Sequence, residues 1–321
     1  MSSKPAPRGT IVVGVDGSPT SDLALDWAVK GATRRGLPLH IIHGMPYRDP
    51  MTQPGIGHVI DGLRDLAVGV RKDALSRVRR ASPRLAITWA QPAYGPVPAL
   101  VDASEGADTV VVGARGMSRV PGTLMGTVAV QVAAHAHCPV VVVHEGRAPA
   151  PLEAPVVVGF DGSASSTDAI AYAFEQARAR RVGLTVVHAW WMDFVEGASA
   201  SAMWTIDWKI FAQEEQDLIA ESLAAWQEKY PDVAVRRHSV RRLPVEALVR
   251  QSENASLVVV GTRGRGGFGG LLLGSVSQGV MHRSQCPVAI VHGHEAPQPD
   301  WDHLETSGRH LFSVPQLHEH R

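Results

Sequence analysis

Short runs in which nearly every position is Val, Ile or another apolar residue recur along the chain, separated by longer amphipathic stretches of helical period. The runs fall near 11–15, 38–43, 85–90, 109–113 and 139–143, then again near 156–160, 183–188, 233–239, 257–261 and 287–291. Strands that are apolar at almost every position and alternate with helices predict a parallel sheet covered on both faces. In such sheets ligands bind beyond the carboxyl ends of the strands, so functional residues are expected directly after strands.

The two sets of runs belong to an internal repeat. IVVGVDGS at 11–18 returns as VVVGFDGS at 156–163, DTVVVGARG at 108–116 as SLVVVGTRG at 256–264, and HCPVVVVH at 137–144 as QCPVAIVH at 285–292. The offset is 145 at Asp16 and Asp161 but 148 at Gly126 and Gly274, so the second copy has three extra residues, placed where the copies diverge most, at 45–60 and 190–207. The chain therefore divides into a first unit over 1–145, a Pro- and Ala-rich linker over 146–155, a second unit over 156–294 and a tail over 295–321. Each unit is expected to be an α/β, doubly wound domain with a five-stranded, mainly parallel sheet.

Composition narrows the possibilities. Of 321 residues 45% are hydrophobic, enough for each half to bury its own core without metals or disulfides. Lys plus Arg and Asp plus Glu both total 31, which removes the charge argument for a nucleic-acid partner. The N-terminus is polar and runs straight into a strand, with no apolar leader and no membrane-length stretch, so the chain reads as soluble and cytoplasmic. The two cysteines, Cys138 and Cys286, each precede a proline at equivalent places, and buried free thiols are expected.

Two kinds of loop carry candidate chemistry. After the first strand of each copy comes Asp-Gly-Ser, at Asp16 and Asp161. The plain reading is a turn whose serine caps the next helix. An aspartate at a strand tip also lies where it can accept hydrogen bonds from a ribose or an adenine amine. After the fourth strand, Gly113 and Gly116 are followed, after nine intervening residues, by Gly126 and Thr127, and Gly261 and Gly264 likewise by Gly274 and Ser275. Glycines let the backbone turn its N–H groups inward, and Gly-Thr or Gly-Ser at a helix start presents free amides and a hydroxyl to an anion such as phosphate. Such loops also serve as plain connectors, although the identical gap in both copies favours phosphate.

These residues resemble the universal stress protein family in its tandem form, over nearly the whole chain apart from the first residues and the tail. The resemblance implies an adenine nucleotide alpha hydrolase-like fold and, through the Gly-x2-Gly-x9-Gly-Ser/Thr pattern, ATP binding in both halves. It assigns Gly14, Asp16 and Gly44 to the adenosine side of the first site, with Gly113, Gly116, Gly126 and Thr127 around ribose and phosphates. In the second half the corresponding residues are Gly159, Asp161 and Ala189, then Gly261, Gly264, Gly274 and Ser275. Ser277, where the first half has Ala129, adds a hydroxyl that favours the second site, and Gly44 weakens base packing in the first. The family also implies an intrachain pseudo-dimer through the last strands at 139–143 and 287–291, with a further homodimer as an open alternative.

Turnover is a separate question. No Asp or Glu occurs between 113 and 131 or between 261 and 285, so the phosphate loops carry no local general base. Arg115 and Arg263 are candidates for pairing with phosphate, and Thr127 or Ser275 for helping hold Mg2+. The reading is an ATP-binding sensing or regulatory protein in stress response, acting on an unidentified protein partner, with at most slow hydrolysis. The alternatives are a nucleotide-independent scaffold, an ATP pyrophosphatase or an adenylyl-transferring enzyme. The signatures of both enzymes are missing from the first strand-to-helix slot. The fifteen histidines invite a metal reading, but His135, His137 and Cys138 lack paired ligand spacing and no metal site is assigned. His43 and His188 are expected to pack structurally beside the base pocket, with ligand contact as the alternative, and Trp190, Trp191, Trp204 and Trp208 to pack between copies or subunits, with a ligand lid as the alternative.

Overall fold

The computed structural model describes residues 8–44, 57–92, 94–117, 125–145, 151, 153–190, 208–264 and 273–293. The first half runs β1 (Thr10–Gly14), α1 (Pro19–Arg35), β2 (Leu39–Ile42), α2 (Gly57–Ala81), β3 (Ile87–Ala90), α3 (Pro96–Ser104), β4 (Ala107–Gly113), α4 (Thr127–His135) and β5 (Val140–Val143). The second repeats it as β6 (Val156–Gly159), α5 (Ala164–Arg180), β7 (Leu184–Trp190), α6 (Trp208–Lys229), β8 (Val235–Arg241), α7 (Pro244–Ser252), β9 (Leu257–Gly261), α8 (Ser275–Arg283) and β10 (Val288–Val291). Every apolar run expected as a strand is one, with ends displaced by a few residues. The Trp-rich segment lies largely outside the described residues.

Alternation within the strands builds two cores. Ile11, Val13, Val111 and Val141 turn to the face covered by α1 and α2, while Val12, Val110, Val112 and Val142 turn to the face covered by α3 and α4. The same division recurs in the second half, with α5 and α6 on one face and α7 and α8 on the other. Successive strand residues point to opposite faces, so a run apolar throughout is stable only when both faces are covered.

Local signals set the helix ends. Ser18 caps α1 by accepting from the Ser21 amide, and Pro19 supplies a preset first-turn φ. Gly36 closes it in the left-handed conformation at φ 65°. Ser163 caps α5 in the same way, but its C-terminal position is Arg181, held at φ 59°. A side chain there costs about 1 kcal/mol that Gly36 avoids.

The strand order is β3-β2-β1-β4-β5-β10-β9-β6-β7-β8. All pairs within a half are parallel, and β5 meets β10 antiparallel with Ala289 opposite Val141. The last strands therefore join the two five-stranded sheets edge to edge into a single sheet of ten. Pairing satisfies the backbone groups of two apolar edge strands that would otherwise be exposed templates for aggregation. The register also brackets the insertion: Leu39 matches Leu184 at an offset of 145, whereas Ile87 matches Val235 at 148. Among the described residues no helix is long and apolar enough to cross a membrane.

Candidate functional site

The chain reverses its strand order between β1 and β4, and between β6 and β9, which opens a crevice at the carboxyl ends of each pair. In the second half this crevice is a cleft of about 490 Å³. All of the residues singled out there line it: Gly159 and Asp161 after β6, Ala189 from β7, Gly261 and Gly264 after β9, and Gly274, Ser275 and Ser277 at the start of α8. Its apolar wall comes from Phe160, Val187, Pro244, Leu248 and Val276, and Arg263 brings a positive charge to it. This combination of an apolar slot with a few convergent polar groups is what a small-molecule site requires.

The turn reading of the Asp-Gly-Ser loop holds, with Ser18 and Ser163 capping the helices that follow. Asp16 accepts from the Ser18 amide at 2.9 Å and from the Met117 amide at 2.8 Å, so it fastens the first strand tip to the glycine loop after β4. Asp161 accepts from the Ser163 amide at 3.0 Å and from its hydroxyl at 2.6 Å. Gly116 and Gly264 are required by these approaches. A Cβ on Gly116 would lie 2.7 Å from Asp16 Oδ2, and one on Gly264 would overlap the same atom of Asp161.

The other glycines serve backbone contacts. A Cβ on Gly113 would come within 2.8 Å of the Thr20 carbonyl carbon, and one on Gly261 within 2.6 Å of Ser165 Oγ. The Gly126 and Gly274 amides each donate back across the loop, to Ala114 and Thr262 respectively, both at 2.7 Å. Neither glycine offers a side-chain cap to the helix that follows, so the first-turn amides at Thr127 and Ser275 have the character of an anion cradle. The Ser277 hydroxyl lies 2.8 Å from the Gly274 carbonyl and 3.1 Å from that of Thr262. It donates into the loop itself and props it, where the sequence had suggested a donor facing phosphate.

The halves differ at the end of the second strand. In the second half Ala189 and Pro244 both line the cleft. In the first, Pro96, which α3 contributes at the place of Pro244, lies so close to Gly44 that a Cβ there would sit 2.7 Å from Pro96 Cβ and 2.9 Å from its nitrogen. The helix thus takes the volume that a side chain at 44 would fill, and the walls against the base position are not alike. Gly14 and Gly159 remain equivalent: a Cβ on each would lie 3.0 Å from Leu100 Cδ1 and 3.1 Å from Leu248 Cδ1 respectively.

Several contributors escaped sequence reasoning. The Thr20 hydroxyl donates to the Arg115 carbonyl, and the Ser165 hydroxyl to that of Arg263, tying the first turn of α1 or α5 to the glycine loop. The recurrence of a hydroxyl at both positions, 145 residues apart, was the available signal, as was the recurrence of Pro96 at Pro244. His43 and His188 play the structural part expected of them, each donating from Nδ1 to a backbone carbonyl, Val15 at 2.8 Å and Phe160 at 2.7 Å. Cys138 and Cys286 are buried free thiols, and burial pushes them up to about 12 and about 11.

Comparison with known proteins agrees with this fold. The model of the universal stress protein family matches the chain twice, over residues 7–144 and 154–292. Universal stress protein Rv2623 of Mycobacterium tuberculosis is 40% identical over 290 residues, covering 87% of this chain and 95% of that protein. Universal stress protein Rv2005c of the same organism is 38% identical over 299 residues, covering 90% and 98%. A universal stress protein from Archaeoglobus fulgidus has the same fold, with a TM-score of 0.64 at 22% identity over 90% of this chain and 98% of that one.

Proposed function

The chain belongs to the universal stress protein family, and from that premise we propose that it binds ATP at the carboxyl edge of its sheet and acts as a sensing or regulatory protein of the stress response. The observation that carries this reading is the convergence of all the second-half candidates, drawn from β6, β7, β9 and α8, on one cleft. Adenine takes the apolar slot between Val187, Ala189 and Leu248, the ribose lies by Asp161, and the phosphates meet the glycine loop, Ser275 and Arg263. Mg2+ with the nucleotide is held by its phosphates and the Ser275 hydroxyl, since among the described residues no group of three His, Cys, Asp or Glu side chains is placed to hold a metal. Hydrolysis is slow at most, because among the described residues Asp161 is the one carboxylate lining the cleft and it accepts from Ser163. Occupancy then acts by shifting a conformational or assembly equilibrium.

The second half is the tighter site, for a reason other than Ser277: its base slot keeps the room that Pro96 takes from the first. The test is to denature the purified protein, identify any released nucleotide by mass spectrometry, and titrate the stripped protein with Mg·ATP by calorimetry. Binding at up to two per chain, lost when Gly126 and Gly274 are both replaced by bulkier residues, is the expected result. No binding at millimolar ATP, or undiminished binding in that variant, removes the cleft from the account and leaves a scaffold acting through its surface.

A further inference from the structure

The halves also meet through α1 and α5, where Trp27 and Arg35 of α1 correspond at an offset of 145 to Tyr172 and Arg180 of α5. On one side of this seam every donor has its acceptor. Arg35 grips Asp108 at the start of β4 with both terminal nitrogens, Nη2 to Oδ2 being 2.7 Å, and the Tyr172 hydroxyl meets that of Thr109 at 3.3 Å.

On the other side the acceptors are missing. The counterpart of Asp108 is Ser256, whose hydroxyl donates to the Pro155 carbonyl at 3.3 Å, and the counterpart of Thr109 is Leu257. The Arg180 guanidinium lies 5.1 Å over the Trp27 ring and makes one long contact, Nη2 to Gln176 Oε1 at 3.4 Å. Its Nε and the Trp27 indole Nε1 are both closed off from solvent without an acceptor. Burial, helped by the nearby charge of Arg34, pushes Arg180 down to about 10, which leaves it a cation at neutral pH. Asp108 is already spent on Arg35, and Glu175 also acts on Arg35. A cation and an indole in contact, each with a nitrogen closed off from solvent and with no counter-charge among the described residues, form a receptor for an acceptor of negative charge.

We propose that this seam holds a small inorganic anion, chloride, sulfate or phosphate, bound by Arg180 and the Trp27 N–H in the place where pseudo-symmetry gives Arg35 its carboxylate. The site lies between the halves and is separate from the nucleotide clefts, so it stands or falls independently of the function proposed above.

The test exchanges the anion for a carboxylate. Thermal unfolding of the full chain is followed while chloride, sulfate or phosphate replaces gluconate at fixed ionic strength, for the wild type and for Ser256→Asp. The wild type should show a saturable rise in Tm with at least one of the three anions, since a ligand bound only by the folded state stabilises it by mass action. Ser256→Asp should begin with a higher Tm and show no such rise for that anion. Because that substitution leaves the nucleotide clefts intact, a phosphate response equal in both proteins belongs to the clefts. An equal response to every anion, or no saturable response in the wild type, overturns the proposal. Arg180→Gln provides the second variant and should also lose the saturable rise. Retention of the rise in a folded Arg180→Gln protein overturns it equally.

Discussion

Asp16 and Gly116, separated by a hundred positions in the chain, are fitted to each other: the carboxylate Oδ2 lies 2.7 Å from where a Cβ on Gly116 would be and accepts from the next amide, that of Met117, at 2.8 Å. The strand-tip acid and the glycine loop are one unit, repeated as Asp161 with Gly264. A methyl group at either glycine must turn the carboxylate away. We therefore expect Gly116→Ala and Gly264→Ala to lose about 1 kcal/mol of stability through the disturbed hydrogen bonding. Gly264→Ala should also weaken ATP binding at least tenfold, about 1.4 kcal/mol. Calorimetric titration of each variant reads both sites. Unchanged affinity in Gly264→Ala would separate this unit from nucleotide binding.

The unequal fit at Gly44 and Ala189 predicts unequal tolerance. Gly44→Ala has to displace Pro96 and the start of α3, an overpacking cost of about 1–3 kcal/mol. Ala189→Gly removes one methyl from the edge of a cleft and should cost about 1 kcal/mol or less. Urea denaturation of the two variants checks the order, and equal costs would contradict the asymmetry.

Arg181 holds the left-handed position that Gly36 holds in the first half. Arg181→Gly relieves that conformation but adds freedom to the unfolded chain, for a net gain of about 0.5–1 kcal/mol. The urea midpoint should rise with an unchanged slope.

His144 and His292 are equivalent residues just beyond β5 and β10, and each is half-buried against the other half. His144 Nε2 donates to the Met281 carbonyl at 2.7 Å, and His292 lies against the backbone of Ala133, Ala134 and Cys138. Burial lowers both below the ordinary value of 6.5, so the unfolded chain takes up protons at a pH where the folded one does not. Stability from this pair is fully present above about 6.5 and is lost as the pH falls below it. Urea midpoints measured from pH 8 down to 5 should fall in that window, and replacing both histidines by glutamine should flatten the fall.

Buried thiols with pKa values pushed up to about 12 and about 11 carry almost no thiolate at neutral pH. A chromogenic disulfide reagent should leave Cys138 and Cys286 unmodified in the folded protein and titrate both once it is denatured. Rapid reaction of either in native buffer would place that thiol nearer solvent than the fold does.

What the amino-acid order determined by itself was everything carried by local pattern or by repetition. Runs apolar at every position specified strands buried on both faces, Ser18 and Ser163 specified helix starts, and the duplicated Asp-Gly-Ser and glycine loops marked the carboxyl edge where the candidates converge. These signals need only a residue and its near neighbours, or its counterpart in the other copy. The tertiary structure decided how surfaces remote in the chain approach one another. It fused two sheets through Val141 and Ala289, set Pro96 against Gly44, turned the Ser277 hydroxyl into its own loop, and left Arg180 without the carboxylate that Arg35 has in Asp108. Those outcomes depend on ångström-scale distances between helices and loops, set by close packing of the whole core, and no periodicity along a single chain encodes them.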